Sequence, residues 1–217
     1  MEITAITGIV GNIIYVSLAL IAIWGAFCVI VVLRRVSRIR FRNENEQSAF
    51  LDTVDECLAQ SDFASATEIC DNDDRAMSQL ALLAITNREL AYPKVRTLVA
   101  DRFQRDVLSD LEYRLSWIYT VIKSAPMVGL LGTVIGMMGA FAKLSSGDKV
   151  DPTQLADDIS LALITTACGL AIAIPLVLAT ASINVKIRQM EDLVSSGLTR
   201  FLETFKAALM KSPAGKE

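Results

Sequence analysis

The sequence predicts an all-α membrane protein: three transmembrane helices, the second and third extended far into the cytoplasm. Three observations carry this. Residues 13–33, 124–142 and 159–185 each lack any Asp, Glu, Lys or Arg. At about 1.5 Å rise per residue, each run can cross roughly 30 Å of hydrocarbon. The 217-residue chain is 53% hydrophobic and 21% charged, with a mean hydropathy of +0.44, too apolar for an ordinary soluble domain. No period-2 strand pattern occurs.

The elements follow in order. Residues 1–11 are expected to be a periplasmic N-terminus and 12–33 the first transmembrane helix. That run lacks a basic segment before it and a small-x-small cleavage site, so it reads as a retained anchor rather than a signal peptide. Arg34, Arg35, Arg38, Arg40 and Arg42 follow it, and Lys186 and Arg188 follow the third run. Between the second and third runs, Asp148, Asp151, Asp157 and Asp158 oppose Lys149 alone. The positive-inside rule then sets the N-terminus outside and the C-terminus inside. Residues 34–117 become a cytoplasmic helical region, 118–144 the second span, 145–158 a periplasmic loop, 159–185 the third span and 186–217 a cytoplasmic helix and tail.

Within the cytoplasmic region, residues 52–58 and 63–70 read as amphipathic helices joined by a turn at Gln60, Ser61 and Asp62. Residues 71–74 form a second break, and residues 77–90 are apolar enough to pack as a helical hairpin.

Two long seams cross the predicted membrane surface. Leu108, Leu111, Leu115, Ile118, Ile122, Ala125, Gly129, Gly132, Gly136 and Gly139 keep a 3-4 spacing, as do Ala162, Thr166, Gly169, Ala173, Leu176, Thr180, Ile183, Ile187, Met190, Val194, Gly197 and Phe201. Large residues serve where burial from water drives packing, and small ones where lipid removes that drive and backbones must approach closely. Two such seams exceed what a three-helix monomer is expected to bury, which points to a homo-oligomer. Pro126 and Pro175 each remove a helical N–H and are expected to kink their helices.

Thr133 and Thr166, with Thr165 beside the latter, lie deep in apolar runs next to small-residue faces. Each hydroxyl either bonds back to its own helix or lines a wet path. No ionisable residue lies centrally in any run; Lys123 falls at the cytoplasmic edge of the second, where it can snorkel. If ions cross, the titrating group has to come from another chain. The sequence contains no histidine and no CxxC among Cys28, Cys57, Cys70 and Cys168, and its net charge is −3. No cofactor, metal site, catalytic constellation or nucleic-acid partner is indicated.

At Ala125-Pro126, at the stretch from Gly129 to Met138 (GLLGTVIGMM), and at residues 159–175, which end in Ala-Ile-Pro, the chain resembles the ExbB/TolQ/MotA family of proton-channel proteins. Three spans and a short cytoplasmic insertion look most like the ExbB/TolQ branch. The resemblance implies a homopentamer around the transmembrane helices of a dimeric ExbD/TolR-like one-span partner. That partner carries a transmembrane Asp, and ion-motive force is coupled to work on the cell envelope. It also places Thr133 and Thr166 in a polar ring facing that Asp. The chain departs at Leu161, where ExbB-type members often carry a glutamate. A non-conducting oligomeric scaffold and a sodium-coupled MotA-like stator remain the alternatives.

Overall fold

The computed structural model describes residues 2–145 and 152–211, with side chains over 10–144 and 152–211. All regular structure among them is helical: α1 Glu2–Ile39, α2 Glu44–Ala59, α3 Phe63–Asp71, α4 Ala76–Thr86, α5 Tyr92–Arg102, a π-helical segment Phe103–Leu108, α6 Ser109–Ser145 and α7 Pro152–Lys211. Three helical stretches are long and apolar enough to span a membrane: Val10–Ile39, Tyr92–Leu144 and Pro152–Lys211. The all-α, three-span fold class therefore holds.

The helices run past several of the expected boundaries. The first helix already runs from Glu2, so residues 2–11 are helical. The expected loop over 145–158 is helical from Pro152, which opens α7 as prolines often do because its missing N–H would be unsatisfied there anyway. Residues 146–151 of that loop and 212–217 of the tail lie outside the described residues. Residues 77–90 form one helix ending at Thr86, not a hairpin by themselves; α4 packs between α3 and α5 instead. α6 and α7 continue through Pro126 and Pro175.

The chain divides into two compact units. Unit 1 comprises residues 1–31 and 114–182, and unit 2 residues 32–113 and 183–217.

Unit 2 is a helical core with local punctuation legible in its residues. α2 closes through Ser61, whose φ of 58° lies in the left-handed region, with Ser61 N–H and Asp62 N–H donating to the carbonyls of Leu58 and Cys57. Asp62 then caps α3 by accepting from Ser65 N–H at 3.1 Å and from the Ser65 hydroxyl at 2.6 Å. These bonds favour the carboxylate and hold Asp62 below the usual range. Asp73 lies just ahead of α4 and accepts from the Arg75 N–H and the Ser78 hydroxyl. The core joins Leu51, Val54 and Leu58 of α2 with Met77, Leu80 and Ile85 of α4 and Phe201 and Phe205 of α7. Cys70 is fully buried there, and loss of hydration, then the charge of Asp73, pushes its thiol up to about 12. Arg200 of α7 forks onto Asp52 and Asp55 of α2.

In unit 1, α6 and α7 run antiparallel with α1 beside them. Ala125, Gly129, Gly132 and Gly139 are buried on α6, and Ala162, Gly169, Ala173, Leu176 and Thr180 on α7. In unit 2, Leu111 is buried, as are Ile183, Met190, Val194, Gly197 and Phe201. The two seams are thus covered within a single chain. The expectation that a monomer could not bury them is corrected: in unit 1 Gly129, Gly132, Gly136 and Gly169 meet the facing helix and Leu176 meets α1, while in unit 2 Gly197 packs against Gln47 and Leu51 of α2. Burial alone does not require an oligomer.

Candidate functional site: a threonine pair on a tight helix crossing

The crossing of α6 and α7 is held at backbone contact by small residues. A Cβ built on Gly129 would lie 2.7 Å from the Thr165 carbonyl oxygen, and one on Gly136 would lie 2.6 Å from the Ala162 Cβ. A Cβ on Gly169 would lie 2.6 Å from the Ala125 carbonyl oxygen and 3.1 Å from the Pro126 Cα. Gly132 faces the Thr165 side chain directly. Any larger residue would force the helices apart, which is why glycine recurs at this spacing.

The three threonines divide at this crossing. Thr165 is 4% exposed, and its hydroxyl lies 2.9 Å from the Gly129 carbonyl and 2.7 Å from that of Ala162. It bridges the helices and is not available to another chain, which corrects its reading as partner-facing. Thr133 and Thr166 lie beside the seam and are half-buried. Thr133 donates to the Leu130 carbonyl at 2.6 Å, and the Thr166 hydroxyl is directed at the Thr133 oxygen at 3.4 Å, a long contact for two hydroxyls. Both oxygens keep acceptor capacity. The geometry therefore juxtaposes two neutral polar groups in an otherwise apolar wall. They can stabilise a passing cation or a water file, but they cannot titrate.

Toward one end of the crossing, Gly132, Gly136, Gly139 and Ala162 leave a cavity of about 330 Å³, also lined by Asn12 and Tyr15 of α1. At about 30 Å³ per molecule, that is room for several waters. Lys143 and Asp158 also line it and pair with each other. Leu161 lines it too, and the Tyr15 hydroxyl donates to the Leu161 carbonyl at 3.1 Å. No group of His, Cys, Asp and Glu suited to a metal occurs among the described residues.

Residues 75–196, which contain this crossing whole, match the model of the MotA/TolQ/ExbB proton channel family. The chain belongs to this family. It is 39% identical over 107 residues to the biopolymer transport protein ExbB of Helicobacter pylori, covering 49% of this chain and 72% of that protein. It is 34% identical over 109 residues to the Tol-Pal system protein TolQ of Haemophilus influenzae, covering 50% and 46%. A putative ExbB homologue of Methanothermobacter thermautotrophicus is 30% identical over 158 residues, covering 71% and 54%. The match thus spans about half the length of the last two. Family and helices together make the chain a multi-pass membrane protein of the ExbB/TolQ branch, at family level a proton-channel motor subunit.

Sequence reasoning passed over Tyr15, whose contact with α7 depends on how α1 docks. It also separated Thr165 from Thr166 only loosely. Neighbouring residues on a helix differ by about 100°, so a seam read from small residues at both positions leaves the phase open by one.

Proposed function

We propose that this chain is the channel-forming subunit of an ion-motive-force-driven motor in the bacterial inner membrane. Five copies surround the transmembrane helices of an ExbD/TolR-like partner carrying a transmembrane Asp, and proton flow past that Asp does work on the cell envelope. The N-terminus is periplasmic and the C-terminus cytoplasmic, following the arginines after the first span.

The observation that carries this reading is the Thr133–Thr166 pair. Two hydroxyls adjoin on the half-open side of a glycine-tight crossing, in the part of the chain that matches the family. Thr165, Gly129, Gly132, Gly136, Gly139, Gly169, Ala162 and Ala173 hold the wall, and Thr133 and Thr166 face the path. Pro126 supports the same packing, its backbone standing against Gly169. Leu161 puts no carboxylate in the wall at its own position, and Asp158 on the same side is paired with Lys143, so on this reading the partner supplies the titrating group.

The test is co-purification in mild detergent followed by native mass measurement. A five-copy assembly carrying a one-span chain with a membrane-embedded Asp supports the motor. An oligomer that never retains such a chain fits the non-conducting scaffold, and a partnerless monomer defeats both.

A further inference from the structure

The cavity beside the α6–α7 crossing is built within one protomer, and its two ends differ in chemistry. At one end stand Asn12 of α1, Lys143 of α6 and Asp158 of α7, the last two paired with each other. At the other end the cavity stops at Gly132 and Thr165. Thr165 is 4% exposed there, and a Cβ on Gly132 would collide with its hydroxyl. From Asp158 to Thr165 on α7, and from Lys143 to Gly132 on α6, the lining covers about 10–16 Å of helix.

The depth of the closed end follows from the charges of α6. Lys123 and Lys143 flank the charge-free run 124–142, one at each membrane edge. Gly132 falls near the midpoint between them, so the cavity ends in the middle of the membrane. Its flank follows from helical phase. The Tyr15 hydroxyl donates to the Leu161 carbonyl, which sets α1 on the Leu161 side of α7. At about 100° per residue, Leu161 and Thr166 lie about 140° apart around that helix. Thr133 and Thr166 accordingly do not line the cavity. Their chain neighbours Gly132 and Thr165 do, so the cavity stops one residue short of the threonine pair on each helix.

Apolar cavities stay dry, whereas water enters those that offer it polar partners. Asn12, Tyr15 and the Lys143–Asp158 pair supply partners toward one end, and the Thr165 oxygen keeps a lone pair at the other. Gly136 and Gly139 place no side chain across the space between them.

We propose that this cavity is an aqueous half-channel: water and small cations enter between Lys143 and Asp158 and reach Thr165 at mid-membrane inside a single protomer. This rests on the channel reading and deepens it, giving ions a route from the periplasmic face to the level of Thr133 and Thr166. With that half wet, the transmembrane potential falls mainly across the dry half between Gly132 and Lys123.

The test has two arms, both on the full chain in membranes, in a background lacking the four native cysteines. In the first, Ala140→Cys and Ile135→Cys, which line the cavity at increasing depth, are labelled with 2-aminoethyl methanethiosulfonate, a small cationic thiol reagent. Val16→Cys, beside Tyr15 on the outer face of α1 and 60% exposed, is the lipid-facing control. Both cavity cysteines are expected to react at least about tenfold faster than the control, because thiolate forms only where water reaches it. Rates equal to the control would mean a dry or lipid-filled cavity and overturn the proposal. Reaction at Ala140→Cys alone would mean a shallow recess and also overturn it. In the second arm, Lys143→Gln or Asp158→Asn is added to Ile135→Cys. Labelling is expected to speed up several-fold with the first and slow several-fold with the second, as the entrance loses a positive or a negative charge. A rate that neither change moves would mean that the reagent arrives elsewhere, which overturns the entrance. Neither arm reads ion flux, copy number or a partner. A chain that conducts nothing would leave these results standing, and a dry cavity would leave the threonine pair untouched.

Discussion

The Thr165 hydroxyl of α7 lies 2.9 Å from the Gly129 carbonyl of α6, at a crossing where a Cβ on Gly129 would sit 2.7 Å from the Thr165 carbonyl oxygen. One hydrogen bond and one missing side chain thus occupy the same few ångströms. The bond forms only because the glycine lets the two backbones meet. Thr165→Val is expected to lower the thermal stability of the detergent-solubilised chain by about 0.6–1.7 kcal/mol, the range for interhelical side-chain bonds in membrane proteins. A melt unchanged within error would show that the Ala162 contact alone satisfies the hydroxyl.

The glycines should act on the fold of a single chain, not first on assembly. Gly129→Ala places a methyl against backbone that cannot yield by rotating a side chain, and overpacking of this kind costs about 1–3 kcal/mol. Gly132→Leu should cost more. Thermal melts of the purified chain read both; stabilities at wild-type level would mean the α6–α7 approach is looser than drawn.

Arg200 ties α7 to α2 through Asp52 and Asp55, and hydrogen bonding to Asp52 raises its pKa. The Asp55 Oδ1 is already buried without a partner. Arg200→Ala leaves that carboxylate mostly buried with no cation, for an expected loss of about 1–2 kcal/mol after discounting for the half-exposed guanidinium. Arg200→Lys should recover only part of it, since lysine lacks the two-pronged fork. Denaturation of the three proteins side by side decides this.

Cys70 should resist alkylation in the folded protein while Cys57, half-buried, reacts. The folded thiol titrates near 12 against an ordinary 9.0. Between those values the unfolded chain has lost the proton and the folded chain has kept it, so stability falls as pH rises above about 9. Iodoacetamide labelling with peptide mapping at pH 8 reads the first claim. Rapid modification of Cys70 in the native chain would contradict its burial.

Much of this was legible in the chain. The 3-4 spacing from Leu108 to Gly139 marked one buried seam, because a helix that must approach another closely shows it as a line of small residues. The turn at Gln60, Ser61 and Asp62 was legible because Asp62 is a capping residue placed ahead of an amphipathic run. What could not be read is register between helices. That Gly129 stands against Thr165 and Gly169 against Ala125 depends on how the two helices slide past each other, and no single-chain periodicity encodes it. The π-helical segment Phe103–Leu108 was equally silent, since its residues do not differ in type from those of the helices around it. Burial of Thr165 rather than Thr166 turned on one step of helical phase.

The central claim is that Thr133 and Thr166 line an ion path that another chain's carboxylate completes. The most direct measurement is proton flux into vesicles holding the chain with its co-purifying one-span partner, followed by an internal pH-sensitive dye, for wild type and Thr133→Val/Thr166→Val. The account predicts an intact assembly by native mass and flux reduced by about tenfold or more, the scale of losing two hydrogen bonds at about 1 kcal/mol each. Equal flux from both proteins would return the two hydroxyls to ordinary helix packing and contradict the account.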